Sequence, residues 1–283
     1  MQIRRAQFAG SWYPGNADAC EAQIHEFLKE KPSHEIAGTP VGGIVPHAGW
    51  MFSGAIAGRV IHALTGGETP DVLLVFGMHL GPDSPPRMMP EGAWETPFGP
   101  LPVDEELSRV VTDQFQVALE SHNRFLPDNT IELQMPFLKY FFPEARVVAV
   151  GAPPTPVAIQ LAETLVETAT ANGNRARVVG STDLTHYGAN YGFSPRGRGR
   201  EALDWVRKEN DPAFIRTLTE MNPEAAIRQG LENHNACCAG AAAAAVAASR
   251  KLGATRGETV AYATSYDKHP GDSFVGYTGV LFA

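Results

Sequence analysis

The chain reads as an α/β protein: one domain with a mostly parallel central sheet and helices on both faces. Three observations predict this. Short continuous apolar runs at 41–45, 71–77, 145–150 and 176–182 have the length and Val/Leu content of strands buried on both faces. Helical patterns separate those runs, so strand and helix alternate. No Ser/Pro/Gly-rich linker or compositional break divides the 283 residues, of which 43% are hydrophobic and 19% charged. Residues 1–283 therefore make one unit large enough for a full core.

Taken in order, residues 6–15 are an ordered loop with aromatic anchors. Asn16 caps a helix running to about Lys31, with Ile24, Phe27 and Leu28 facing inward. The first strand, 41–45, is stopped by Pro46, which has no N–H for a sheet ladder, and His47 follows at its end. Ser53 caps the next helix, to Leu64. The second strand, 71–77, leads to Met78 and His79, then to a Pro/Gly-rich excursion over 80–102. A loop of that length in a compact domain is functional or covering. Helices follow at 104–117 and 131–141, a strand at 145–150 and a helix at 156–171. The strand at 176–182 runs into Asp183-Leu-Thr-His-Tyr-Gly188. Helices at 200–209, 211–220 and 223–230 precede an Ala-rich helix, 236–248, whose small side chains let it lie close to a sheet. Strands at 258–264 and 274–282 close the chain.

The net charge of −8 argues against a nucleic-acid or membrane-surface role. Three cysteines, two of them adjacent, make no disulfide framework and fit a reducing compartment. Met1 to Arg5 lack the apolar run of a secretory signal, and no stretch reaches membrane-span length, so the expected location is cytoplasmic.

Ligands of open α/β sheets collect outside the carboxyl ends of the strands. Three such ends offer His47, His79 and the Asp183/His186 pair, and a fourth segment supplies His234-Asn-Ala-Cys-Cys238. Two imidazoles with a thiolate or carboxylate make a facial metal site with open positions; iron(II) favours it, and zinc or copper can occupy it. A thiolate near a helix N-terminus has a lowered pKa, which eases metal binding.

These residues carry a resemblance. Gly10-Ser-Trp-Tyr-Pro-Gly15, Pro46-His-Ala-Gly-Trp50, Thr96-Pro-Phe-Gly99, Thr130-Ile-Glu-Leu-Gln-Met-Pro136, Ser181-Thr-Asp-Leu-Thr-His-Tyr187, His234-Asn235 with Cys238, and Val275-Gly-Tyr277 stand in the order of the Memo family. That family includes AmmeMemoRadiSam system protein B and is similar in fold to the class III extradiol (LigB-like) non-haem iron dioxygenases. The resemblance implies a metal site of His47, His79 and Cys238, with His186 as acid/base and Asp183 beside it. It implies Asn129 at a position where many members carry a site histidine, and Glu132 lining the site. It also implies radical-SAM and AMMECR-type partner proteins. Trp50 and Tyr187 would wall the pocket, with His234 nearby.

Among the other candidates, His25 and His62 fall on helices and His34 in a loop, as surface or packing residues. His122 and His269 fall in loops, the latter as a cover for the site; Cys237 reads as a packing thiol able to pair with a redox partner. The basic loop Arg196-Gly-Arg-Gly-Arg200 could hold an anion. Two functions follow as expectations. One is an iron(II)-dependent oxidoreductase acting on a small aromatic or anionic substrate. The other is a non-catalytic metal-binding or redox-regulatory protein that keeps a vestigial dioxygenase pocket and acts through partners.

Overall fold

Four parallel strands, with side chains alternating between two helical layers, form the centre of the molecule. The structure is a computed structural model and describes residues 1–29 and 38–283. His34 lies outside the described residues, and the first helix, expected to reach about Lys31, ends at Phe27 with Leu28 as its cap.

In chain order the elements are β1 (Ile3–Arg4), α1 (Ala17–Phe27), β2 (Gly42–Val45), α2 (Trp50–Ala63) and β3 (Val72–Gly77). Then come β4 (Arg87–Met88), β5 (Ala93–Trp94), β6 (Leu101–Pro102), α3 (Glu105–Gln114), β7 (Ala118–Leu119), α4 (Asn129–Glu132) and α5 (Met135–Phe141). β8 (Arg146–Gly151), α6 (Pro156–Ala171), β9 (Ala176–Ser181) and β10 (His186–Tyr187) follow. The chain ends with α7 (Arg200–Trp205), α8 (Asp211–Thr219), α9 (Pro223–Asn233), α10 (Ala239–Lys251), β11 (Gly257–Thr264) and β12 (Phe274–Phe282).

The main sheet has the order β10-β12-β2-β9-β3-β8-β4-β7, with β11 paired to β12. β2, β9, β3 and β8 are parallel, and β12 and β4 flank them antiparallel. On β3, Val72, Leu74 and Phe76 face one layer with α6 and α10, while Leu73 and Val75 face the other with α2 and α5. β8 divides the same way, Val148 and Val150 against Val147 and Ala149. That period of two, with both faces apolar, is why these strands read as unbroken hydrophobic runs. No helix among the described residues is long and apolar enough to cross a membrane.

The Ala-rich helix α10 is buried from Ala239 to Ser249. Two glycines set how closely it lies. A Cβ on Gly180 of β9 would stand 2.5 Å from the Ala245 Cβ, and one on Gly240 would stand 2.3 Å from the Pro153 carbonyl. Helix and sheet therefore meet almost backbone to backbone, and the start of α10 is brought to the strand ends.

Three local expectations are corrected. α2 begins at Trp50 behind Gly49, and Ser53 lies inside it, its hydroxyl bonded back to the Ala48 carbonyl at 3.1 Å. The 80–102 excursion is not a bare loop: it holds β4, which extends the main sheet, and β5, which pairs with β1 on one side and with β6 on the other. α7 and α8 are joined by a π-turn, Val206–Asn210, rather than broken into two helices. Such turns re-aim side chains; here Asn210 donates to Thr185 Oγ1 at 2.9 Å, and Asp211 accepts from the Thr185 amide at 3.1 Å and from the Tyr262 hydroxyl at 2.7 Å.

Burial raises the Asp211 carboxyl to about 6, despite those donors. An unfolded Asp titrates near 4, so between about pH 4 and 6 the folded protein keeps a proton that the unfolded chain has lost. Stability from this group is thus greatest at low pH and falls as pH rises to 6. Asp211→Asn removes the dependence. In urea unfolding, the stability difference between wild type and variant should change by about 2 kcal/mol between pH 4.5 and 7.5. A constant difference would show that Asp211 stays ionised.

Candidate metal centre

His47 leaves the end of β2 with both its backbone and its ring fixed. Its amide donates to Asp183 Oδ1 at 2.8 Å, and Nδ1 stands 3.0 Å from Ser181 Oγ at the end of β9. The Ser181 hydroxyl gives its one proton to the Thr130 carbonyl at 2.7 Å, so toward His47 it can only accept. Nδ1 therefore carries a hydrogen, and Nε2 is the ring atom left to bind; it lies 3.2 Å from Cys237 Sγ.

His79 reaches the same place from β3. Met78, just before it, has φ of 67°, a left-handed conformation that a non-glycine residue adopts only under constraint. The Met78 amide is held by Thr130 Oγ1 at 2.6 Å, and Thr130 is itself tied to Asp128. The His79 ring meets His47 edge-on, with centroids 5.1 Å apart, and its Nδ1 pairs with Asp128 Oδ2 at 3.7 Å.

The sulfur comes from the turn before α10. Cys237 Sγ accepts from the Asp183 amide at 3.3 Å and has Cys238 Sγ 3.8 Å away. Cys238 was expected as the metal-binding sulfur and Cys237 as a packing thiol; the structure brings both sulfurs to the imidazoles, Cys237 being the one that touches His47. The chain turns at Cys238, the residue capping α10, whose amide is pinned to Thr182 Oγ1 at 3.1 Å and whose side chain lies buried behind its neighbour. One ligand atom from each of His47, His79, Cys237 and Cys238 lies within 4.8 Å of all the others. Cys238 thus remains within reach, one step behind.

Electrostatics separate the two thiols. Burial opposes a charge on Cys237, but the Cys238 S–H and the His47 and His79 imidazoles outweigh it and hold Cys237 well below the usual thiol range. Burial, with the Cys237 sulfur beside it, pushes Cys238 well above it. Burial disfavours charged imidazoles, yet Asp183 and Cys237 raise His47, and Asp128 and Cys237 raise His79 to about 10. Asp183 itself is raised by burial. A metal ion would displace the imidazole protons and inherit a preformed thiolate.

The donor set fits a transition metal. Nitrogen and sulfur ligands of one tetrahedral ion sit about 3.5 Å apart, close to the His47–Cys237 separation. The Asp183 and Ser181 contacts supply the outer shell that such sites need. Ser181→Ala frees the His47 ring to take the wrong tautomer. It should weaken metal binding about 10–100-fold, read by competition with a chromogenic chelator; unchanged affinity would mean that Ser181 does not set the tautomer.

Over the centre opens a cavity of about 820 Å³ that reaches His47, His79, Asn129, Asp183 and His186. Asn129 gives its amide to the His47 carbonyl at 2.9 Å, and His186 Nδ1 bonds the Leu184 carbonyl at 3.2 Å, leaving its Nε2 to the cavity. Trp50 touches this cavity, but its ring is mostly core, stacked on Phe137 at 4.1 Å. His269 stands at its edge against Phe52.

Two residues expected in the wall are elsewhere. Glu132 is buried beneath the N-terminal loop, accepting from the Gln7 and Phe8 amides at 2.8 and 2.7 Å and from Tyr13. Tyr187 is buried and stacked on Phe274, its hydroxyl accepting from the Arg196 amide and donating to the Gly197 carbonyl, each at 3.0 Å. It thereby anchors the basic loop, which lines neither cavity described here. His234, at φ of 51°, borders a second, smaller cavity. Sequence reasoning missed Ser181 and Asp128, both polar neighbours of residues it had marked.

The family described as Memo-like protein matches residues 4–281. A MEMO1 family protein of Pyrococcus furiosus is 30% identical over 288 residues, covering 99% of this chain and 98% of its own. One from Pyrococcus horikoshii is 31% identical over 283 residues, with 96% and 97% covered. The crystal structure of an uncharacterized Escherichia coli K12 protein is similar with a TM-score of 0.54 at 13% identity, covering 86% of this chain and 99% of that one. That likeness concerns the fold alone.

Proposed function

The chain belongs to the Memo-like family, and from that premise we propose that it holds one iron(II) ion through His47 Nε2, His79 and Cys237 Sγ and uses it in oxidoreductase chemistry on a small ligand. The observation that carries this reading is the His47 ring: its hydrogen is committed to Ser181, and its free nitrogen faces the Cys237 sulfur and the His79 ring. When bound, the ion would supply redox and Lewis-acid chemistry at the floor of the larger cavity. Two imidazoles and one thiolate leave coordination positions open, as a catalytic rather than a structural site requires.

The remaining roles belong to the chain. His186, with Nε2 directed to the cavity, is placed to give or take a proton from a bound ligand. Asp183 fixes the His47 backbone and adds a buried acidic group 3.8 Å from the His47 ring. Asn129 positions the loop through His47 and, having no titratable proton, leaves proton transfer to His186. The cavity has aromatic walls in Trp12, Phe52, Tyr191 and Tyr277 and no lysine or arginine, which favours an aromatic over an anionic ligand. A cytoplasmic setting suits the three free thiols.

Anaerobic reconstitution tests the reading. About one iron per chain is expected when iron(II) alone is offered; zinc and copper(I), which thiolate sites bind more tightly, are loaded in separate samples. Oxygen uptake with a panel of phenols and catechols should appear in wild type and be lost in His186→Ala at unchanged iron content. Stoichiometric zinc or copper with no uptake from any substrate would favour the second reading, a metal-binding regulatory protein. The adjacent, oxidisable Cys238 gives that reading its support.

A further inference from the structure

Two cavities meet at the metal centre, and their walls have only His186 and Tyr191 in common. The larger shows the imidazole side, with His47, His79 and Asp183, and Cys237 is not among its walls. Cys237 surfaces instead in the smaller, of about 470 Å³. The partition between them is the edge-on pair of His186 and Tyr191, with ring centroids 5.0 Å apart. The smaller cavity is bounded by Leu80, Pro82, Pro154, Phe193 and Leu231, and no lysine, arginine, aspartate or glutamate lines it.

Building on the proposed function, we propose that this smaller cavity is a separate entrance by which a small uncharged molecule reaches the sulfur side of the metal centre while the larger cavity holds the substrate. The chemistry of the walls sets the class of the molecule. Short of the Cys237 sulfur at its inner end, an ion entering would lose hydration with no opposite charge in the walls to replace it, whereas a neutral molecule of the size of dioxygen loses little. The partition sets the purpose. A ligand filling the larger cavity covers the imidazole face, so a second reactant sharing that mouth would be blocked by the first. With two mouths, order of arrival ceases to matter.

The test uses metal-free protein and iodoacetamide, a small neutral thiol reagent, with labelled sites mapped by peptide mass spectrometry. Cys237 should label at least tenfold faster than the buried Cys20 and Cys238, and neutral iodoacetamide should outpace anionic iodoacetate at least tenfold. Two plugs are available. Leu231 is 42% exposed on the cavity rim, and a Cβ at Gly81 meets nothing within 4 Å. Leu231→Trp and Gly81→Trp should each slow Cys237 labelling about tenfold while iron content stays at the wild-type value. Wild-type labelling rates in both variants, a refractory Cys237, or equal rates for the two reagents would each overturn the proposal. Because labelling needs no metal, a failure to bind iron would sink the metal reading without altering this result.

Discussion

Cys237→Ser lowers metal affinity by two to three orders of magnitude, and Cys238→Ser changes it less than tenfold. The binding free energy of a four-ligand site, about 10–16 kcal/mol, assigns about 3–4 kcal/mol to each ligand, or two to three decades. Serine at 237 puts a hydroxyl where the thiolate stands, and a hydroxyl near neutral pH stays protonated. At 238 serine keeps the capping backbone and its bond to Thr182, and alters only a side chain behind the reacting sulfur. Metal content after anaerobic loading and chelator competition reads both. Equal losses in the two variants would mean that both sulfurs bind; loss in Cys238→Ser alone would restore the assignment expected from sequence.

Gly240→Ala should destabilise the protein by about 3 kcal/mol, the upper end of overpacking costs, and lower its melting temperature by about 6–12 °C. Two effects oppose each other here. Alanine favours a helix interior over glycine by about 1 kcal/mol. Against that, the new methyl group would stand 2.3 Å from Pro153 and 2.4 Å from the Ala152 carbonyl, and backbone atoms cannot swing aside as a side chain does. The clash wins unless α10 shifts bodily. A melting temperature raised by the substitution would show that the helix can move away, and the metal affinity of the same variant would then report how far Cys237 moved with it.

The fold was legible because its central strands are buried on both faces, which leaves apolar runs with no helical period. α6 and the closing strands followed from similarly strong patterns. The two-residue strands were not legible, since β4, β5 and β6 owe their existence to partners far along the chain rather than to their own residues. The π-turn at Val206–Asn210 was also hidden: separate helices were expected at 200–209 and 211–220, whereas Asn210 and Asp211 are drawn inward by Thr185. At the site, His47, His79, Asp183 and His186 were marked by position at strand ends. The choice between Cys237 and Cys238 was not, because adjacent cysteines differ only in which of them caps the helix. Glu132 and Tyr187 were misplaced for a common reason. Their motifs are built around buried hydrogen bonds that brace neighbouring loops, and a motif does not distinguish bracing from lining.

His47, His79 and Cys237 come from β2, β3 and the start of α10, so 190 residues separate the first from the last. An unfolded chain would have to close loops of that span to gather them, at an entropic cost that it recovers nowhere else. The ion therefore recognises the finished molecule alone. Its affinity adds directly to the folding equilibrium, by about 4 kcal/mol when free metal stands a thousandfold above its dissociation constant. For a protein whose net stability is of order 10 kcal/mol, the metal supply of the cell would then help to set how much of this chain stays folded.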